Sequence, residues 1–473
     1  MTTTRENANQ RLAWREKISY GFGDLASVMF WQTFMAYLLF FYTDVFGISA
    51  GLAGTMFLLS RLLDGVNDPA MGMIADRTQT RWGKFRPYIL WFSIPFAVLG
   101  VLTFTTPDFS YTGKAIWAFI TFNLLMILYT VINIPYTSML GVLTSNPNER
   151  TSLAQVKFLF AFIAGAAVSA TLLPMTKALG GDNAAKGWQL SFVVYGILFV
   201  VFFLITFLGT KERVKPIADE KNKIGDDLKA LFSNRPWIIL LLATLTLILF
   251  IATRITVMAH YFKYFVGPQT VSLPDWLGGT REMSFEVLVS AFNTTGQISS
   301  IVGVLLVGVF SRMCGSRKQA FSILLGISII STAVYQFLGP DQIGAIFFFQ
   351  ILLCVTSGPL SPLLWSMYAD TADYGEWKSG HRSTGLVFSA STMGQKVGWA
   401  IGSAVAGWLL SAVGFQSNVE QTPEALGGLV LLVGLIPAGF GVLSLVVLAF
   451  YPLNEAKVKQ IGAELDERRD GIA

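Results

Sequence analysis

The sequence is short of charge. Asp, Glu, Lys and Arg make up 13% of its 473 residues, where a soluble domain carries about 25%. Too few charges remain to cover a water-exposed surface of this size, which excludes an ordinary soluble globular protein. Cysteine and histidine are scarcer still: Cys314, Cys354, His260 and His381 are the full set. That excludes a His/Cys metal cluster, and no disulfide framework is suggested. Walker-type phosphate loops and the H-E-x-x-H pattern are also missing, so ATP-driven transport and zinc proteolysis lack support. Gly47-Ile48-Ser49-Ala50-Gly51 matches G-x-S-x-G. It falls in a short loop between two apolar runs, without the strand–turn–helix setting and triad partner that a nucleophile elbow needs. No enzyme is expected. The polar N-terminus, MTTTRENANQRLAWREK, has no short apolar core with a cleavage site, so it is not a cleavable leader.

What is plentiful is apolar surface. Hydrophobic residues are 53% of the chain, with 38 Phe and 44 Gly. Phe suits lipid-facing and cavity surfaces, and Gly lets membrane helices approach closely. Crossing a bilayer takes about 20 apolar residues in a helix. We read twelve such spans, at 18–43, 50–75, 87–106, 114–142, 152–174, 188–209, 236–264, 285–310, 319–338, 343–369, 386–413 and 425–451. With the N-terminus inside, the segments between spans hold 25 Lys and Arg on the inner side and 4 on the outer, counting Lys114 at the outer edge of its span. This places both termini in the cytoplasm of a bacterial inner membrane. The net charge of +5 is topological, and no nucleic acid partner is expected.

The longest hydrophilic insert, 210–235, divides the chain into an N-terminal half (1–209) and a C-terminal half (236–451), followed by a tail at 452–473. Loops 76–87 and 311–318 occupy the same place in each half, after its second span. Two six-helix halves joined by a charged loop give an all-α membrane protein of the major facilitator architecture.

Charge inside a membrane is costly and usually functional. The second span carries Arg61, Asp64 and Asp68 in SRLLDGVNDP. Spacings of three and four put all three on one face. A structural ion-pair cluster is one reading. A cation site is the favoured one, because two close carboxylates can share a proton or ligate a hard cation through oxygen. Other polar positions within spans are Asp24, Asn133, Lys157, Arg254, Lys263 and Lys396. Lys396 is the expected counter-charge to the acidic stripe, and Lys263 snorkels. Asp76, Arg77, Arg81 and Lys84 in the first inner loop face an opposite set, Asp370, Asp373 and Glu376, with Arg382 able to pair locally. Simple positive-inside charge explains the loop in part; a cytoplasmic gate is the sharper expectation. Phe30, Trp31, Tyr37, Trp365 and Trp399 can stack on a sugar ring, although a single ring at helical spacing is more often packing.

The blocks YGFGD (20–24), FYTDVFG (41–47), GTMFLLSRLLDGVNDPAMG (54–72), DRTQTRWGKFRP (76–87), YTVINIPY (129–136) and ADTADYGEWKSGHRSTG (369–385), followed by Lys396, resemble the glycoside–pentoside–hexuronide:cation symporters, the melibiose carrier family. The resemblance runs through nearly the whole chain. It implies the major facilitator fold and the coupling of sugar entry to sodium, lithium or protons. It implies that Asp64, Asp68 and Thr130 form the cation site, that Lys396 is the eleventh-span lysine, that Thr392 lies near the sugar, and that Asp373 and Arg382 belong to the gate. Departures stand at Ser27 and Val28, where that carrier has a Lys-Asp pair, at Asn133 for an acid, at Thr137 for a tryptophan and at Lys157 for an arginine. They argue against melibiose itself and look more like the xyloside and glucuronide branch.

The expectation is a secondary active symporter working by alternating access. It takes a glycoside, oligosaccharide or uronide with H+ or Na+, and needs no organic cofactor. Asp64, Asp68, Thr130, Asn133 and Lys396 are expected to serve the cation, and Asp24, Trp31, Asn133, Thr137, Lys157 and Thr392 the substrate. Lys157 can also receive a carboxylate. One chain is expected to work as a monomer in the lipid bilayer. The alternatives are a lysolipid:cation symporter of the same fold and a transporter-like receptor.

Overall fold

A computed structural model describes residues 11–144, 147–213, 231–272, 280–379 and 384–470. Nearly all of it is helix. Hydrocarbon offers a backbone no hydrogen-bond partner, so a spanning segment must satisfy its own N–H and C=O groups. In chain order the first helices are α1 (Trp14–Phe40), α2 (Ala50–Arg77), α3 (Arg86–Thr103), α4 (Tyr111–Leu143), α5 (Pro147–Gly180) and α6 (Ala184–Gly209). After them come α7 (Arg235–His260), the hairpin β1 (Gln269–Ser272) and β2 (Thr280–Met283), α8 (Phe285–Leu305) and the short α9 (Val307–Met313). The remainder is α10 (Arg317–Ala333), α11 (Ile343–Ser357), α12 (Leu360–Ser379), α13 (Thr384–Ala412), α14 (Pro423–Val433), α15 (Leu435–Ala449) and α16 (Glu455–Asp470).

Among the described residues, ten helices are long and apolar enough to cross a membrane. The other two expected spans fall in α2 and α13, helices of 28 and 29 residues outside those ten. Two expected spans are interrupted. The span at 343–369 breaks between α11 and α12 at Gly358 and Pro359, where proline has no N–H to donate. The last span turns at Gly434 (φ −107°, ψ −94°) between α14 and α15. The β1–β2 hairpin was not expected. Most of the expected central loop, 214–230, lies outside the described residues, and the expected tail contains α16.

Caps mark the helix starts. Ser49, Ser110, Asn183, Asn234, Ser316 and Thr422 each accept a backbone N–H of the helix that follows, the usual way to satisfy an otherwise orphan donor. Ser49 of the G-x-S-x-G match is thus a helix cap, accepting from the Leu52 amide at 3.3 Å. Two ends are wound differently. α1 runs into a π-helical segment, Phe41–Phe46, closed by Gly47 at φ 86°. α7 does the same at Tyr261–Val266, closed by Gly267 at φ 70°. FYTDVFG and YFKYFVG therefore form an internal repeat, one copy ending the first long helix of each half.

The chain divides into two compact units. Unit 1 comprises residues 1–218, 268–294 and 410–421; unit 2 comprises 219–267, 295–409 and 422–473. In unit 1, α1 packs on α5 and α6, α3 on α4 and α6, and α2 on α4. Its core is aromatic: the Phe104 ring stacks on Phe192 at 3.6 Å and on Trp188 at 5.5 Å. Ile94 and Val98 of α3 and Ile197 and Leu208 of α6 stay exposed, as lipid-facing side chains do. In unit 2, α7 packs on α15, α14 and α12, and α10 on α11 and α15.

Candidate transport site

The YGFGD block explains how α1 presents its acid. A Cβ on Gly21 would stand 2.7 Å from the Phe160 ring, and one on Gly23 would collide with the ring of Tyr136. The two glycines are seats for aromatic rings from α5 and α4. Tyr136 then stacks on Tyr20 at 4.9 Å and donates its hydroxyl to the Tyr20 carbonyl at 2.9 Å. This packing fixes Asp24, which is buried. Its carboxylate faces Lys157 Nζ of α5 at 3.6 Å, and the ammonium lies 5.7 Å from the Tyr136 ring centre. The two predicted substrate residues Asp24 and Lys157 are therefore brought together, and each balances the other's charge.

Seven residues along α1 from Asp24, on the same face, Trp31 stacks on Tyr129 of α4 at 5.9 Å, and Phe30 stacks on the same tyrosine at 5.2 Å. The next residue, Thr130, is buried and donates its hydroxyl to Asp68 Oδ1 at 2.9 Å. The aromatic platform and the predicted cation acid thus meet on adjacent residues of one helix. Asn133 and Thr137 continue the Thr130 face at spacings of three and four; Asn133 is half-buried and Thr137 exposed. The side chains of Arg61 and Asp64, on α2, lie outside the described residues.

Lys396 and Thr392 belong to unit 2. On α13, Gly394, Gly398 and Gly402 form a stripe at every fourth residue that packs against Leu241, Ile248 and Ala252 of α7. Trp237 donates its indole N–H to Ser391 at 3.0 Å on the same seam. Thr392 and Lys396 are spaced by four on a different face from the stripe. The Thr392 hydroxyl donates to the Phe388 carbonyl at 2.9 Å. Elsewhere in unit 2, Arg254 is buried, donates to Gln350 Oε1 at 2.9 Å and lies over the Tyr335 ring at 4.8 Å. Lys263 sits over the ring of Tyr264.

At the ends of the helices nearest the termini, several of the expected gate residues have partners that sequence reasoning missed. Glu212, three residues beyond α6, accepts the backbone N–H groups of Lys84, Phe85 and Arg86 at 2.8, 2.8 and 2.9 Å. Arg86 in turn donates to the Phe207 carbonyl. Arg213 grips Glu16 with two bonds at 2.7 and 2.8 Å, and Lys17 pairs with Glu149 at 2.9 Å. Arg77 and Arg81 are exposed, Arg81 stacking on Trp82, and the Lys84 ammonium lies over Phe85. In unit 2, Asp370 pairs with Arg317 at 3.0 Å, and the same guanidinium binds Glu455 at 2.9 Å and Ser366 at 2.7 Å. The Arg317 guanidinium holds the Glu455 carboxyl below its ordinary value. Asp373 and Glu376 are half-buried on α12. The Asp76 side chain and all of Arg382 lie outside the described residues. Glutamates just past a long helix were the only available signal, and exposed ones look alike in sequence.

Comparison with known proteins agrees with this architecture. The profile of the MFS/sugar transport protein family matches residues 19–455. The inner membrane symporter YicJ of Escherichia coli is 34% identical, over 96% of this chain and 95% of that protein. The isoprimeverose transporter of Lactiplantibacillus pentosus is 35% identical, over 96% and 92%. The glucuronide carrier protein homolog of Escherichia coli is 30% identical, over 98% and 97%. A solved bacterial homolog of the human lysosomal transporter Spinster superposes with a TM-score of 0.66 at 14% identity, covering 92% of this chain and 95% of its own. A bacterial homologue of the human peptide transporters PepT1 and PepT2 gives 0.63 at 10%, covering 92% and 97%. At such identities the likeness shows the fold alone, and that fold is the major facilitator one. The chain is a multi-pass membrane transporter, not an enzyme, and it belongs to the MFS/sugar transport protein family, within which its motifs are those of the glycoside–pentoside–hexuronide:cation symporters.

Proposed function

We propose that this carrier couples entry of a neutral glycoside or short oligosaccharide to a proton or sodium ion, by alternating access, in a bacterial inner membrane with both termini in the cytoplasm. The observation that carries this reading is the pairing of Thr130 with Asp68 beside the Tyr129–Trp31 stack. Sugars present hydroxyl edges and apolar C–H faces, so a ring platform next to an ion-binding carboxylate suits them. Coupling needs the cation and sugar sites to sense each other, and here one helical step separates them. Full-length similarity to proteins named as a symporter, an isoprimeverose transporter and a glucuronide carrier homolog favours a sugar over a lysolipid.

Lys157 supports the neutral substrate over a uronide. Its charge is already met by Asp24, and an incoming carboxylate would have to displace that partner. Orientation rests on the 25 to 4 distribution of Lys and Arg.

Counterflow in vesicles with a panel of neutral glycosides and their uronides tests the substrate class. Neutral compounds should exchange. Asp68→Asn should abolish uphill accumulation while sparing part of that exchange. Full uphill transport by the Asp64→Asn, Asp68→Asn double variant would sink the cation assignment. Uronides exchanging faster than every neutral compound, with Lys157→Gln removing only the uronide activity, would reverse the substrate preference.

A further inference from the structure

In unit 1, α3 and α6 run antiparallel. The start of α3 meets the end of α6, where Arg86 Nε donates to the Phe207 carbonyl at 3.2 Å. Just past the other end of α3, the Thr105 hydroxyl accepts from Gln189, near the start of α6, at 3.1 Å. Between these contacts Gly196 sits against Ala97, and an added Cβ would stand 3.3 Å from the Ala97 Cβ. The helices are therefore close, and residues that turn from this seam toward one side wall a shallow apolar groove. Trp91, Ile94 and Val98 form one wall at spacings of three and four. Ile197, Val201 and Leu208 form the other at spacings of four and seven. All six are exposed, Ile94 and Ile197 by 61% and Leu208 by 76%. From Leu208 to Ile197 the wall is about 16 Å long at 1.5 Å per residue. One leaflet supplies about half of a ~30 Å hydrocarbon core, so the groove has the length of a single acyl chain.

The end of the groove nearest the termini is closed by rings and a cation. The Trp82 ring meets Trp91 at 6.5 Å and Phe207 at 5.9 Å, both edge-on. Arg86 braces this turn: it donates to the Trp82 carbonyl at 3.1 Å and lies over the Phe207 ring at 4.8 Å. Arg81 is exposed, and its guanidinium lies over the Trp82 ring at 4.4 Å. Loop 76–87 holds four basic residues, Arg77, Arg81, Lys84 and Arg86, against one acid, Asp76. The neighbouring carboxylate of Glu212 is occupied by the amides of residues 84–86. Among the described residues, Arg81 has no carboxylate partner.

The matching turn of unit 2 is basic too, but its charges are engaged. Arg317 binds Glu455 and Asp370, and Lys318 donates to the Ala449 and Tyr451 carbonyls. Residues 311–333 contain no tryptophan. Basic charge at this place therefore serves both halves. Unit 1 alone sets a guanidinium on an indole at the mouth of an apolar groove. Indole rings suit the level of lipid headgroups, and the planar guanidinium matches a phosphate.

We propose that the α3–α6 groove binds an anionic phospholipid, one acyl chain lying between its two walls and the phosphate meeting Arg81 above Trp82. A net negative headgroup fits better than a zwitterionic one, whose own ammonium offsets the phosphate. In the orientation given above the lipid belongs to the cytoplasmic leaflet. The groove is separate from the residues assigned to cation and sugar.

The full chain in phosphatidylcholine nanodiscs, titrated with phosphatidylglycerol brominated on its acyl chains, tests this, because bromine quenches nearby tryptophans. Phosphatidylethanolamine with the same brominated chains is the comparison. Phosphatidylglycerol should quench more at equal mole fraction, and Trp91→Phe should remove part of that excess. Arg81→Gln should raise the amount of phosphatidylglycerol needed for half of the excess about fivefold, the worth of one basic residue at an anionic surface. Arg81→Lys should raise it less. Arg312→Gln, at an exposed arginine of α9, should leave it unchanged. Arg81 and Trp91 are both exposed, so these variants keep the fold. Equal quenching by the two lipids would overturn the proposal. So would an excess that survives Trp91→Phe in full, or one that Arg81→Gln and Arg312→Gln shift alike. A dimer in the nanodisc that shields Trp91 from both lipids would assign this face to a second copy of the chain and also overturn it. Neither sugar nor coupling ion takes part and both leaflets of the disc are alike, so failure here leaves the transport reading and the orientation standing.

Discussion

The turn before α3 and the turn before α10 hold the same place in their halves, after the second span, and each is tied down by a glutamate from beyond the half's last long helix. The chemistry differs. In unit 1, Glu212 collects three backbone N–H groups of residues 84–86. In unit 2, Glu455 meets a side chain, the guanidinium of Arg317, which also holds Asp370. One half uses a carboxylate against an open helix N-terminus, the other an ion triad. The two turns thus fix the start of the helix that follows with different residues and different chemistry. The difference also separates two of the expected gate residues: Lys84 is held through its backbone, whereas Asp370 is held through its carboxylate.

The largest effect should come from breaking the unit 1 side. Glu212→Ala leaves three amides without their charged acceptor. Each bond to a charged group is worth about 1.5–3 kcal/mol when buried. Because the site is half-exposed, water will recover much of that, and a net loss of about 2 kcal/mol is expected. Thermal unfolding in detergent should show it, with Glu212→Gln falling between the alanine variant and the parent. An unchanged melt in Glu212→Ala would mean that the clasp is decorative.

A smaller effect is expected at Arg317. Arg317→Lys keeps the charge but loses the planar fork that reaches Glu455, Ser366 and Asp370 together. Half-exposed pairs contribute about 0–1 kcal/mol each, so the melt should shift by less than in Glu212→Ala. Equal or larger destabilisation would reverse the ranking of the two clasps.

The smallest effect carries a pH signature. Arg317 holds the Glu455 carboxyl below its ordinary value, so the folded state favours the charged form. That contribution is complete above the ordinary glutamate value of about 4.3 and fades as pH falls through the lowered one. Parent and Glu455→Gln should therefore differ slightly at neutral pH and converge as pH falls through the lowered value. A difference that grows on acidification would assign the stabilisation to another group.

Much of the site was legible in the sequence, and the reasons can be named. Asp68 stood out because a carboxylate within a membrane helix is expensive, Thr130 only through the family resemblance, and the two do meet. Asp24 and Lys157 stood out for the same reason, but their pairing was not foreseen. They are 133 positions apart in the chain, and nothing local reports which cation an acid faces. Lys157 was accordingly left open to a neutral sugar or a substrate carboxylate, without its contact with Asp24 in view. Tyr136 and Tyr20 were visible only as ordinary aromatics; the glycines at 21 and 23 gain meaning once rings are seen to occupy them. Glu212 escaped because its partners are backbone amides, which every residue but proline possesses.

The sequence by itself determined the solvent, the helices and their starts. Hydropathy fixes which segments leave water, the cost of an unpaired amide in hydrocarbon makes them helical, and capping residues act within one turn. Those forces are local or compositional. Tertiary structure alone decided which charges meet, which glycines are seats, that α1 and α7 end in matching π turns, and that the start of α8 and the end of α13 join the compact unit of the first six helices. Each of these depends on contacts between segments tens to hundreds of residues apart, where the pairing energy belongs to the packed arrangement and leaves no periodic trace along the chain.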